Sequence, residues 1–134
     1  MARPPKYRQV ERLPVVTYFK PQGIPMSQLS EVVLTVEELE AVRLCDLDSL
    51  DHEVCAERMA VSRPTFHRII VSARKKISEA LINGLAIRVE GGNYRIVLSK
   101  LECKECGYKW QGNFCRRHTK CPFCKSTDWD NVKD

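Results

Sequence analysis

Residues 50–81, LDHEVCAERMAVSRPTFHRIIVSARKKISEAL, keep the three- and four-residue apolar spacing of a helix and break it once, at Ala60-Val61. Asp51 suits the start of a first helix through Met59, because its carboxylate can accept from free backbone N–H groups of the opening turn. Ser62 suits the start of a second, which tolerates Pro64 in its first turn, where an N–H has no helical partner. Phe66, Ile69, Ile70, Ala73 and Ile77 form one stripe expected to pack on Val54, Cys55 and Ala56. Small Ala56 and Ala60 permit close approach where the helices cross. Outside the stripe lie Arg63, Thr65, His67, Arg68, Ser72, Lys75 and Lys76. A solvated helical hairpin would satisfy the charges alone. The Ser-Arg-Pro-Thr opening, the small residues and the basic tail Arg74-Lys75-Lys76 together point to a helix-turn-helix whose second helix, 63–81, enters DNA.

Six segments carry a family likeness: Met1-Ala2-Arg3-Pro4, Tyr18-Phe19-Lys20-Pro21, the run from Val33 to Ala41, Ala56-Glu57-Arg58-Met59, Val61 to Phe66, and Glu90-Gly91-Gly92. Through them, residues 1 to about 95 resemble a family of small, largely uncharacterised prokaryotic predicted DNA-binding proteins. The helix-turn-helix is similar to region four of bacterial sigma factors, with Ala60 standing in the turn where many such motifs have Gly. The resemblance implies sequence-specific DNA binding and transcriptional regulation.

The chain has 134 residues, 43% hydrophobic and 29% charged, which suits one ordinary core or two small ones in a soluble globular protein. No apolar run reaches the roughly 18 residues needed to span a bilayer, and the N-terminal arginines precede no apolar stretch of a signal peptide. A cytoplasmic location is expected. The net charge of +5 is unevenly spread. Residues 1–25 carry five Lys/Arg against one Glu and residues 26–53 one Arg against eight acids. Residues 54–92 carry seven bases against three acids, and residues 93–134 nine against five.

Three parts are expected: a basic arm and extended segment (1–25), a DNA-binding domain with the start of a hairpin (26–92), and a metal-binding module (93–134). In the arm, prolines and the cations Arg3, Lys6 and Arg8 suggest extended chain that a minor groove or phosphate backbone could order; a frayed tail is the alternative. Residues 15–19 read as a short strand and residues 20–25 as a turn. The acidic segment predicts a helix from Thr35 to about Leu47, with a Thr35/Glu38 capping box and Val36, Leu39, Val42 and Cys45 facing inward. Its acids are expected on a solvated face turned from phosphate, or as a recruiting surface for a basic partner. Asn83-Gly84 can close the long helix. Beyond it, Ile87 and Val89, the Gly91-Gly92-Asn93 turn, and Tyr94, Ile96 and Leu98 predict a β-hairpin, serving as a phosphate-touching wing through Arg88 and Arg95, a lid, or a bridge.

Cys103-x-x-Cys106 and Cys121-x-x-Cys124 have the spacing of two knuckles that bring four thiolates around one tetrahedral ion. So short a segment has little core of its own, so metal binding supplies folding free energy; two disulfides are disfavoured in a reducing compartment. The segment resembles zinc ribbons, with knuckles also like those of rubredoxin. One structural Zn2+ is expected ahead of iron, which the same sulfurs accept. Cys115 and His118 are a surplus pair, either bland or an added ligand set, and Arg116, Arg117 and Lys120 make a basic tip. Trp110 and Trp129 could stack on bases or form the module's core, and Cys45 and Cys55 read as packing residues.

The fold class expected is therefore a mainly α helix-turn-helix domain with a β-hairpin, followed by a small metal-stabilised β zinc ribbon. Its function is sequence-specific recognition of double-stranded DNA, as monomer or homodimer. Arg63, Thr65, His67 and Arg68 read the major groove, while Arg74, Lys75 and Lys76 hold phosphate. An adaptor in a transcription or RNA-processing complex and an iron-dependent redox sensor are the alternatives. An enzyme is not expected, since no nucleophile–base motif or phosphate-cradling loop is present and four cysteine ligands leave no open coordination position.

Overall fold

The computed structural model describes residues 7–112 and 119–132. The chain forms two compact units: one of residues 1–10 and Val16–Arg95, the other of Glu11–Val15 and Ile96–Asp134. Among the described residues no helix is long and apolar enough to cross a membrane.

The larger unit is mixed α/β, which corrects the expectation of a mainly α domain. It contains β1 (Arg8–Val10), β2 (Tyr18–Phe19), β3 (Glu31–Leu34), α1 (Val36–Val42), α2 (His52–Met59), α3 (Arg63–Asn83), β4 (Ala86–Val89) and all but the last residue of β5 (Tyr94–Ile96). β4 is the middle strand of a three-stranded sheet. It pairs antiparallel with β2, Phe19 opposite Ile87, and parallel with β3, Leu34 opposite Val89. β5 instead pairs with β1.

The β-hairpin expected from β4 and β5 does not form. Both edges of β4 are already occupied by strands from before the helices, so β5 has nowhere to add. Gly91-Gly92-Asn93 is not a hairpin turn but a crossing over the start of α1. Val36 N–H donates to Gly91 O at 3.1 Å, and Asn93 N–H donates to Glu37 Oε1 at 3.0 Å. Gly92 has φ +102°, and a Cβ there would lie 2.9 Å from Glu37 Oε1, so only glycine passes without strain.

α1 begins with the expected capping box. Glu38 N–H donates to Thr35 Oγ1 at 3.2 Å, and Thr35 N–H donates to Glu38 Oε1 at 2.9 Å. The helix runs into a π-turn over Arg43–Leu47, where Asp48 N–H reaches back five residues to Arg43 O at 2.8 Å. Its inward face differs from expectation: Val36, Ala41 and Leu44 are buried, and so are Glu37, Glu38 and Glu40, whereas Leu39, Val42 and Cys45 are half-buried.

Asp51 caps α2 by accepting from Val54 N–H at 2.9 Å, and Ser62 caps α3 by accepting from Thr65 N–H at 3.3 Å. Between them Ala60 adopts φ 58°, ψ 43°, the left-handed conformation that turns the chain sharply. α3 ends at Gly84, also left-handed. The apolar stripe of α3 feeds two clusters rather than one. Phe66, Ile69 and Ile70 pack with Cys55, Ala56, Met59, Ala41 and Leu44, whereas Ala73 and Ile77 pack with Val10, Leu34, Val36 and Val89 beneath the sheet. Full burial of each large side chain contributes about 1.5–3 kcal/mol, so α3 fastens helices and sheet together.

The smaller unit is a three-stranded antiparallel sheet, with β6 (Ser99–Cys103) between β7 (Lys109–Gly112) and β8 (Trp129–Asn131). Leu101 and Trp129 form its buried centre.

Candidate functional site

Two regions of the described structure gather chemistry: the four cysteines of the smaller unit, and the N-terminal half of α3.

The thiols of Cys103, Cys106, Cys121 and Cys124 all lie within 4.8 Å of one another. Cys103 Sγ is 3.6 Å from Cys124 Sγ, and Cys106 Sγ is 3.6 Å from Cys121 Sγ. These separations are far beyond the roughly 2.05 Å of a disulfide and close to the ~3.8 Å between sulfurs at the corners of a tetrahedron with ~2.3 Å metal–sulfur bonds. The four cysteines could therefore hold a metal ion. The turns that carry them are fixed by backbone hydrogen bonds: Gly107 N–H donates to Cys103 O and Lys125 N–H to Cys121 O, both at 2.9 Å. The backbone N–H of Cys106 holds the Cys103 thiol below its ordinary value. Burial opposes ionisation of Cys121, but the N–H groups of Cys124 and Phe123 outweigh it and bring the thiol to about 7. Amides aimed at sulfur in this way suit thiolate ligands, while Cys106 and Cys124 move the other way: the N–H groups of Tyr108 and Ser126 favour their ionisation, but burial and the neighbouring thiols outweigh them.

On α3, Arg63, Pro64, His67, Arg68, Val71, Arg74 and Lys75 are exposed, while Thr65, Ser72 and Lys76 are half-buried. Ser62 and Thr65 hydroxyls are 2.9 Å apart, and Arg68 Nη2 donates to Thr65 Oγ1 at 3.2 Å. Arg63, His67 and Arg68 line a shallow concavity of about 430 Å³ that also takes in His52 of α2. His52 packs edge-on against Phe66 and lies 6.1 Å, centroid to centroid, from His67. Sequence reasoning missed His52; its place in the first turn of a helix leading into a tight turn was the available signal.

Arg74, Lys76 and Arg8 are engaged by acids. Arg74 Nη2 donates to Asp46 Oδ1 at 2.6 Å, and Lys76 Nζ donates to Glu38 Oε1 at 2.7 Å. Arg8 Nε lies 3.0 Å from Glu37 Oε2. Arg3 and Lys6, like Cys115, Arg116, Arg117 and His118, lie outside the described residues. The acids of α1 are thus not a solvated face. Burial works against the charge of Glu38, but hydrogen bonds from Lys76, Ser72 (2.6 Å) and Thr35 outweigh it and hold its carboxyl below the usual range. The Arg74 hydrogen bond does the same for exposed Asp46. Arg88, which a wing would have turned toward phosphate, sits in the middle strand, paired with Glu31 through two contacts of 3.1 Å and placed over the Tyr18 ring.

Cys55 is fully buried, and burial pushes its thiol up to about 11, as befits a packing residue. Trp129 is fully buried too, so of the two tryptophans it belongs to the core.

Residues 1–97 match the family described as "Protein of unknown function DUF134", and the chain belongs to that family. It is 59% identical to a UPF0251 protein of Pelotomaculum thermopropionicum over 133 residues, covering 99% of this chain and 100% of that one. A UPF0251 protein of Moorella thermoacetica is 55% identical over 128 residues, 96% of this chain and 85% of its own length. One of Caldanaerobacter subterraneus is 68% identical over 96 residues, 72% of this chain and 81% of its own. No solved structure matches the chain.

Proposed function

We propose that this member of the DUF134 family is a sequence-specific binder of double-stranded DNA and a transcriptional regulator, with α2 and α3 as a helix-turn-helix followed along the chain by a zinc-stabilised ribbon. The observation that supports this best is the selective pairing of cations with acids along α3. Asp46 and Glu38 engage Arg74 and Lys76, whereas Arg63, His67 and Arg68 project from the first two turns, on the side away from both apolar clusters. A helix about 10–12 Å across fits the ~12 Å major groove, and the first turns of such a helix meet base edges.

Arg63 and Arg68 are assigned to base edges, guanine being the partner that a guanidinium meets bidentately. Thr65, whose hydroxyl already accepts from Arg68, orients that guanidinium and offers its methyl to thymine. His67 and His52 complete the concave surface. Lys75 is assigned to phosphate. Arg74, Lys76 and Arg8 would reach phosphate only by exchanging an acid for it, and Arg3 and Lys6 are assigned to the flanking backbone. Zinc in the Cys103/Cys106/Cys121/Cys124 site would be structural, because four thiolates fill its coordination shell. We propose no catalytic role for that ion, since four thiolates leave it no open position for a substrate.

Selection of sites from random duplex DNA at two salt concentrations tests this reading. A defined motif that survives at the higher salt is expected, its symmetry reporting monomer or dimer. Enrichment of no motif, with binding that vanishes as salt rises, would overturn it.

A further inference from the structure

The smaller unit carries an aromatic array that the metal site does not need. Phe123 is 75% exposed and Tyr108 is 44% exposed, large values for rings in a unit with so little apolar area to spend. Phe123 and Tyr108 stack, centroids 6.1 Å apart and planes 20° from parallel. Tyr108 and Trp110 repeat the arrangement at 6.2 Å and 20°. Three near-parallel rings thus form a row. Its inner end is seated by the core: Trp110 meets buried Trp129 edge-on at 6.4 Å, and its indole lies where a side chain on Gly112 would be, 2.9 Å from the position of such a Cβ.

The row is held in place by the turns that present the sulfurs. Tyr108 O accepts from Cys103 N–H at 2.9 Å, and Phe123 stands between Cys121 and Cys124. A row fixed in this way loses little side-chain freedom on binding. Two exposed cations, Lys120 and Lys125, flank in sequence the knuckle that carries Phe123, while Lys109, between Tyr108 and Trp110 on β7, alternates to the other face of the sheet.

We propose that Trp110, Tyr108 and Phe123 form a stacking platform for the bases of single-stranded nucleic acid, with the exposed lysines tracking its phosphates. Aligned ring faces with cations alongside are the chemistry that unpaired bases take up, whereas a duplex hides its base faces. The inference stands independently of the assignment of α3 to duplex DNA.

The test uses the full-length, metal-loaded protein and fluorescein-labelled thymidine and uridine strands of about twelve nucleotides, which separate DNA from RNA as the source, with an abasic strand of equal charge. Tyr108→Leu and Phe123→Leu keep apolar bulk but remove the ring. Each should weaken binding of the strand about tenfold. The abasic strand should bind worse than either base-bearing one, and metal content should be unchanged. Phe123→Trp should restore binding, which separates loss of stacking from damage to the turn. Equal affinity of Phe123→Leu and the parent, equal affinity for the abasic strand, or no binding of either base-bearing strand would overturn the proposal; a protein ligand that tolerates leucine there would do the same. If Arg68→Ala weakens single-strand binding and Phe123→Leu does not, the charge of α3 is responsible and the platform is refuted, while the duplex reading is untouched.

Discussion

Single residues set two of the finest features of this molecule, the turn into α3 and the charge lock beneath it. Ala60 is left-handed, a conformation that costs a non-glycine residue about 1–2 kcal/mol. Glycine there removes the strain but adds freedom to the unfolded chain, so Ala60→Gly should stabilise by up to about 1 kcal/mol, seen as a rise of several degrees in melting temperature. A fall would mean that the turn is not left-handed. Glu38 joins the cap of α1 to Ser72 and Lys76 of α3. Its carboxyl titrates below its ordinary value in the folded state, so its stabilisation is full above the unfolded value and is lost as pH falls through the lowered folded one. Glu38→Gln should therefore destabilise by about 1–3 kcal/mol near neutral pH. Denaturant midpoints of parent and variant should converge in acid; a gap independent of pH would contradict the ion-pair account.

Among the elements, what was legible depended on whether the partners were neighbours in sequence. The caps of α1, α2 and α3, the tight turn at Ala60 and the left-handed end at Gly84 rest on contacts within a few residues, and all were readable. The cysteine knuckles were readable for the same reason. β4 was misread because alternation at Ile87 and Val89 announces a strand but not its partner, and the nearest candidate was β5. Its partners are β2 and β3, more than fifty residues back. Glu37 and Glu38 of α1 were misread as solvated because their cations lie on β1 and α3, separations that no local pattern encodes, whereas Glu40 pairs with Arg43, three residues on, at 2.6 Å. Gly92 marks where the chain leaves β4 to cross α1. Gly92→Ala, in a conformation that alanine resists and with Glu37 against the new methyl, should cost about 1–3 kcal/mol. Gly91→Ala meets nothing within 4 Å and should suffer backbone strain alone. Equal unfolding midpoints for the two variants would contradict the crossing.

At the scale of the whole molecule, the two units differ in what stabilises them. The larger unit has two apolar clusters of its own, whereas the cysteine unit has a small centre around Leu101 and Trp129 beside four sulfurs. Chelation should therefore unfold the second unit and leave the first. Trp110 and Trp129 are the chain's two tryptophans, so their fluorescence should shift on adding chelator, while helical circular dichroism changes little. Coincident loss of both signals would contradict independent stabilisation. Metal analysis should find one zinc per chain and no visible absorption; a red, iron-bearing protein would favour a redox role instead.

The central claim is that the first turns of α3 read bases. The most direct measurement compares the affinities of the parent, Arg63→Ala and Arg68→Ala for a selected duplex and for the same duplex with its guanines exchanged. Each substitution should cost about 1–3 kcal/mol on the selected site and much less on the exchanged one, collapsing the preference between them. Equal losses on both duplexes, or none on either, would contradict the claim.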